Sequence, residues 1–181
     1  MKKRFAFAMS IFCIFAFSLV SAAQMKDTSK RPSPPEQAQC KLSDGKTITV
    51  NYSSPRMKGR KIFGELVPNG EVWRTGANEA TTFVTTANLM IGSLSVPAGN
   101  YTIFTVPNQD KWTLIVNKKT GEWGIPYKYE SDELGRTDMK VSQTSSPVED
   151  FTISLDQSGG GCMMNISWEN TKASADIKES K

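Results

Sequence analysis

Apolar and polar residues alternate in short runs along most of this chain. Ile48, Val50 and Tyr52 take turns with Thr47, Thr49 and Asn51, and Trp112, Leu114 and Val116 with Thr113, Ile115 and Asn117. Phe151, Ile153 and Leu155 alternate with Thr152, Ser154 and Asp156. Near the end Met164, Ile166 and Trp168 share one face, and Ala173, Ala175 and Ile177 alternate with Ser174, Asp176 and Lys178. Strand side chains point to opposite faces in turn, so a period of two predicts strands with one buried and one wet side. Residues 81–86 and 101–106 read as further strands, and residues 89–96 as two short strands about Gly92.

Turn residues separate these runs. Asp44-Gly45 is a hairpin signal, and Pro97-Ala98-Gly99-Asn100 marks another break. The glycines at 159–161 read as a hairpin rather than a phosphate loop, because no Lys and Ser/Thr follow at the required spacing. No helical pattern of ten or more residues occurs beyond the first 23 positions, apart from a weak signal at residues 130–135. Closely spaced strands with one polar face predict an antiparallel all-β domain, with two layers packed as a β-sandwich. A partly closed β-barrel is the alternative.

The two ends follow other rules. Lys2, Lys3 and Arg4 precede an apolar run over residues 5–20, and Ser21-Ala22-Ala23 supplies small residues before Gln24. That layout predicts a signal peptide over residues 1–23, with cleavage before Gln24 and no stable membrane insertion afterwards. Residues 24–39, rich in Lys, Ser, Pro and Gln, read as a flexible linker, and residues 40–178 as a single all-β domain. Export to the periplasm or beyond is the expected location.

Loss of the leader changes the charge argument. The whole chain carries 22 basic and 18 acidic residues, and three of the basic ones belong to the leader. What remains is close to neutral, so no single-sign field argues for nucleic acid as a partner. Cys13 also leaves with the leader. Cys40 and Cys162 then face an oxidising compartment as a pair and are expected to form a disulfide.

The chain has no histidine. Ser-His-Asp and Cys-His catalysis and histidine-ligated metals are therefore excluded. An all-oxygen calcium site around Asp132, Glu133 and Asp138 is weighed and set aside, since its spacing does not follow a calcium loop. No metal and no cofactor are expected.

One stretch fits neither period. Residues 59–82, GRKIFGELVPNGEVWRTGANEATT, crowd charges of both signs, glycines and a proline around Trp73. Irregular backbone on a rigid scaffold is where sites concentrate. Arg60, Arg74, Asn78 and Glu79 are the candidate ligand-binding residues, with Lys58 nearby. Two readings compete. In the structural one, Arg forks bridge carboxylates and carbonyls inside the loop and Trp73 anchors it in the core. In the other, the same residues form a pocket lip for a carboxylated or phosphorylated small molecule. A histidine-free hydrolase would need Glu79 or Glu71 as its acid–base group, with arginine stabilising the anion. A third option is a glycan-stacking face from Trp73, Trp112, Trp123, Tyr127 and Tyr129, although Trp112 by its alternation belongs to the core and packing over the loop is the simpler role for the rest.

The segments VNYSSPRMKGRKIFGELVPNGEVWRTGANEATTF, VPAGNYTIFTVPNQDKWTLIVNKKTGEWG, PVEDFTISLD and MNISWENTKASADI resemble DUF2911, a family of exported bacterial proteins without an assigned function. The resemblance runs from about residue 47 to 177 and rests mainly on the Gly-Arg-Lys and WRTGANEAT blocks. It implies export and the domain's extent, and no activity, cofactor or catalytic residue. The cysteine pair departs from the family pattern. The sequence reading is thus an exported all-β protein in a non-catalytic binding or structural role. The alternative is a hydrolase, or an anionic-ligand or carbohydrate-binding site, on the Arg60/Arg74/Asn78/Glu79 loop.

Overall fold

A computed structural model describes residues 30–180. The expected signal peptide and residues 24–29 of the expected linker lie outside the described residues. Nine strands follow one another: β1 (Pro35–Lys41), β2 (Thr47–Ser53), β3 (Thr82–Thr85), β4 (Leu89–Ile91), β5 (Leu94–Val96), β6 (Gly99–Val106), β7 (Lys111–Asn117), β8 (Glu133–Ser158) and β9 (Gly161–Glu179). All pair antiparallel in one sheet of order β1-β2-β3-β6-β7-β8-β9-β4-β5. Glu130–Asp132 form a single 3-10 turn, which accounts for the weak helical signal there.

β1 starts ahead of the boundary expected at residue 40. Pro35 opens the strand, a position where its missing N–H costs no ladder bond. Ala38 and Cys40 then point inward at period two, in register with Val50 and Ile48. The Pro-Ser-Gln composition hid two inward positions that suffice for an edge strand.

The sheet bends into two layers and does not close into a barrel. β2 and β8 stand four places apart in the strand order, yet Tyr52 and Phe151 meet edge to face at 5.6 Å. Ser54 Oγ donates to Phe151 O (2.6 Å) and Phe151 N to Pro55 O (2.9 Å). The expected Cys40–Cys162 disulfide ties β1 to β9 across the layers, with Cα atoms 6.5 Å apart. The bend arises in β8, where pairing with β9 shifts register between Gln143 and Val148 and again between Val148 and Thr152. Extra residues on one strand kink it and raise its twist. The turn between β8 and β9 is two glycines, Gly159 and Gly160, both at positive φ (54° and 80°), as a tight hairpin requires.

Between the layers lies an aromatic core. Phe63, Trp73, Trp112, Phe151 and Trp168 contact one another at centroid distances of 4.9–6.4 Å. The expectation of one wet face fails on β6 and β7, since Phe104 and Ile115 are buried on the outer side too. Loops crossing that face supply Ala80, Val72, Tyr127 and Tyr129, making a second small core.

Candidate functional site

β2 and β3 are sheet neighbours, but residues 54–81 intervene, too long for a simple connection. Backbone pairing fixes this loop. Trp73 and Thr105 exchange N–H···O bonds of 2.8 and 2.9 Å, laying Trp73 beside β6. The Trp73 indole N–H donates to Gly76 O at 3.1 Å, and Thr81 Oγ1 donates to Thr75 O at 2.6 Å. Thr75 and Asn78 adopt left-handed backbone, φ 56° and 57°. A Cβ on Gly76 would stand 3.0 Å from Ser53 O and 3.1 Å from Thr81 Oγ1. The WRTGANE block is therefore a tight knot folded against the end of β2.

A second loop closes on it. At Gly124, φ is +87°, and a Cβ would come within 2.9 Å of the Ala80 methyl and 3.1 Å of Arg74 Cβ. This close approach, together with Ala80 N donating to Glu122 O (3.0 Å), carries Trp123 over Arg74. The guanidinium sits 5.0 Å from the centre of the Trp123 ring, within cation–π range.

Together these loops shape a cleft of about 300 Å³. Trp73, Val67 and Trp168 give its apolar interior, and Trp73 stacks on Trp168 with the rings 6.1 Å apart and inclined by 15°. Leu66 and Ile125, 46% and 52% exposed, supply apolar rim. Arg60 and Arg74 both line it. No Asp or Glu does.

The four candidate residues divide. Arg60 and Arg74 are brought to one cleft, and neither makes an ion pair among the described residues. Arg60 holds Met57 O (3.0 Å) and Arg56 O (2.6 Å), which positions it and leaves donors over. Arg74 donates weakly to Trp123 O (3.4 Å), and its Nε is buried without an acceptor. Burial lowers the Arg74 pKa from its ordinary value, with Glu79 acting the other way. Asn78 and Glu79 face elsewhere. Asn78 Nδ2 donates to Ser33 O (3.0 Å), and Glu79 takes a two-pronged bond from Arg31 (2.8 and 3.0 Å). Arg31 holds the Glu79 carboxyl below its usual range.

The intraloop network of arginines and carboxylates expected for Arg74 is thus absent among the described residues. Glu79 finds its partner in the segment read as linker. The aromatics also part company. Trp73 and Trp112 are core, Tyr127 and Tyr129 pack on Phe104, and Trp123 is 55% exposed. Glu133 is occupied by Arg136 and Tyr127, and Asp138 by Lys111. No three potential metal-ligating side chains converge among the described residues. Leu66 and Ile125 escaped the sequence reading as cleft residues, since an isolated apolar residue in a loop carries no periodic signal, and Trp168 escaped it because its alternation marks it as core.

Fold and cleft define an antiparallel all-β domain with a small amphipathic pocket. The chain belongs to the DUF2911 family, described as protein of unknown function, which matches residues 33–177. No curated protein and no solved structure matches it.

Proposed function

We propose that this is an exported, non-catalytic binding protein whose cleft takes a small anion, a carboxylate or phosphate on an apolar or aromatic body. One observation carries the reading: two arginines that make no ion pair among the described residues line a single cleft whose interior is aromatic. A guanidinium offers five donors in a fork matched to carboxylate and phosphate. Such bonds gain strength where water is partly excluded. Trp168, Val67, Leu66 and Ile125 suit the apolar part of the same molecule. The volume stands at the lower end of about 300–1,000 Å³ for small-molecule sites, so a single ring or a short chain fits better than a large cofactor. The hydrolytic alternative has no carboxylate in this cleft among the described residues.

Export to the periplasm or outside the cell is part of the proposal. It is supported by the leader pattern and by the Cys40–Cys162 disulfide, a bond that persists in oxidising compartments. Among the described residues no helix is long and apolar enough to cross a membrane.

The test compares phenylacetate, octanoate and phenyl phosphate with neutral phenylacetamide in thermal-shift and calorimetric titrations. The anions should raise the melting temperature by mass action, and phenylacetamide should not. Arg60→Ala and Arg74→Ala should each abolish the response. An equal response to phenylacetamide, or none to any anion, overturns the reading.

A further inference from the structure

A second concavity, of about 630 Å³, lies on the other side of the 60–70 loop and shares no lining residue with the arginine cleft. Its walls come from three places. Asn69 belongs to the loop, Asn108 and Gln109 to the turn between β6 and β7, and Gln143 to β8 just before its register shift. Gly70 N donates to Pro107 O (2.8 Å), which locks loop and turn together. An adjoining depression of about 460 Å³ shares Asn69, Asn108, Gln109 and Asp110, so the groove continues past a single pocket.

These amide side chains have no hydrogen-bond partner among the described residues, whereas Gln37, Asn51, Asn117 and Asn165 are all engaged elsewhere. Beneath them lie Phe63 and Trp112. Trp73 and Trp168 donate their indole N–H groups to carbonyls, and Trp112 has no such acceptor among the described residues. The bordering lysines are paired, Lys61 with Glu65 and Lys111 with Asp138, whereas Asp110 in the wall has no ion pair among the described residues and accepts from a hydroxyl as an amide oxygen does.

We infer that this groove binds a neutral oligosaccharide. A primary amide is donor and acceptor at once, as a sugar hydroxyl is, so several amides fit a polyhydroxylated surface better than either charged class. Phe63, half-buried under the groove, suits the apolar C–H face of a pyranose, while Trp112 beside it is 1% exposed; the adjoining depression extends the groove to more than one sugar residue. A peptide adding as a β-strand is disfavoured, because β7, β8 and β9 are interior strands with both edges paired.

The test uses ¹⁵N-labelled protein titrated with cellotetraose, maltotetraose, xylotetraose and tetra-N-acetylchitotetraose. At least one should produce saturable shifts in the side-chain amides of Asn69, Asn108, Gln109 and Gln143 and in the Trp112 indole, with a Kd in the millimolar range or tighter. The double variant Asn108→Ala, Gln143→Ala should lose at least about tenfold in affinity, a change of 1.4 kcal/mol in binding, while melting like the parent. Arg74→Ala should bind the sugar unchanged, so failure here and failure of the anion reading are separable. No saturable shift with any of these sugars, or shifts that survive the double variant, overturns the inference.

Discussion

Arg74 stands where two rules pull apart. Its Nε is buried without an acceptor, a group that costs free energy in a closed interior. Its guanidinium meets the Trp123 ring and makes a long bond to the Trp123 carbonyl. Had the arginine bridged a buried carboxylate, as the structural reading of the loop expects, Arg74→Ala would remove roughly 3–5 kcal/mol. With Glu79 held by Arg31 instead, the variant forfeits a cation–π contact of about 0.5–1 kcal/mol and sheds an unpaired donor. We expect its melting temperature to stay within about 4 °C of the parent, since 1 kcal/mol shifts a domain of this size by roughly 2–4 °C. A fall of 10 °C or more in thermal denaturation would return Arg74 to a structural role. The Trp-Arg-Thr-Gly-Ala-Asn-Glu spacing made the neighbourhood of Arg74 and Glu79 legible. The Arg31–Glu79 bond spans 48 positions, and no local pattern encodes where a proline-rich segment will lie.

Strands were legible wherever one side chain in two is apolar, which covers β2, β7, residues 151–156 of β8 and β9, whereas the first part of β8 went unread. The continuity of β8 was not, because the bulged stretch from Gln143 to Thr152 breaks the period that marks a strand. Nor was the second core legible, for Ile115 and Phe104 are covered by loops whose docking is a tertiary fact. At the start of β8 that docking has a titratable clasp. Glu133 accepts from Tyr127 Oη (2.6 Å) and from Arg136 Nε and Nη2 (both 2.8 Å). The bond from Arg136 is the main reason the Glu133 pKa lies below 4.5, with burial opposing and Tyr127 assisting. A depressed carboxylate stabilises the fold above its unfolded pKa and stops doing so as pH falls through the folded value. Tyr127 works in the other direction, its pKa raised above 10.0 by burial first and by Glu133 second. Its contribution is present below pH 10 and is lost as pH climbs through the folded value. We expect Trp123 emission, which reports the neighbouring loop, to change on both sides of a neutral plateau. Glu133→Gln should flatten the acid limb below pH 4.5. An acid limb identical in the variant would show that other carboxylates govern it.

At the scale of the whole molecule, the bent sheet leaves β1 attached through β2 alone in the ladder, with the disulfide as its covalent tie to the opposite layer. The pairing was legible from the expected compartment and from count, because two cysteines beyond an expected leader have one intramolecular choice. The layers they join were legible only as a class, since nothing local announces a sheet that folds over itself. Cys40 and Cys162 are 122 positions apart, and a link across so long a stretch chiefly restricts the unfolded chain, stabilising by roughly 2–4 kcal/mol. Protein recovered from the exporting host should give the intact mass of residues 24–181 less two hydrogens. Reduction under native conditions should then lower its melting temperature by roughly 5–15 °C, as should Cys40→Ser with Cys162→Ser. A mass that retains Met1, or alkylation of both thiols without reductant, would refute export with oxidation. A reduced protein melting with the oxidised one would mean that β2, together with Tyr52 and Ser54 against Phe151, already holds the first strand in place.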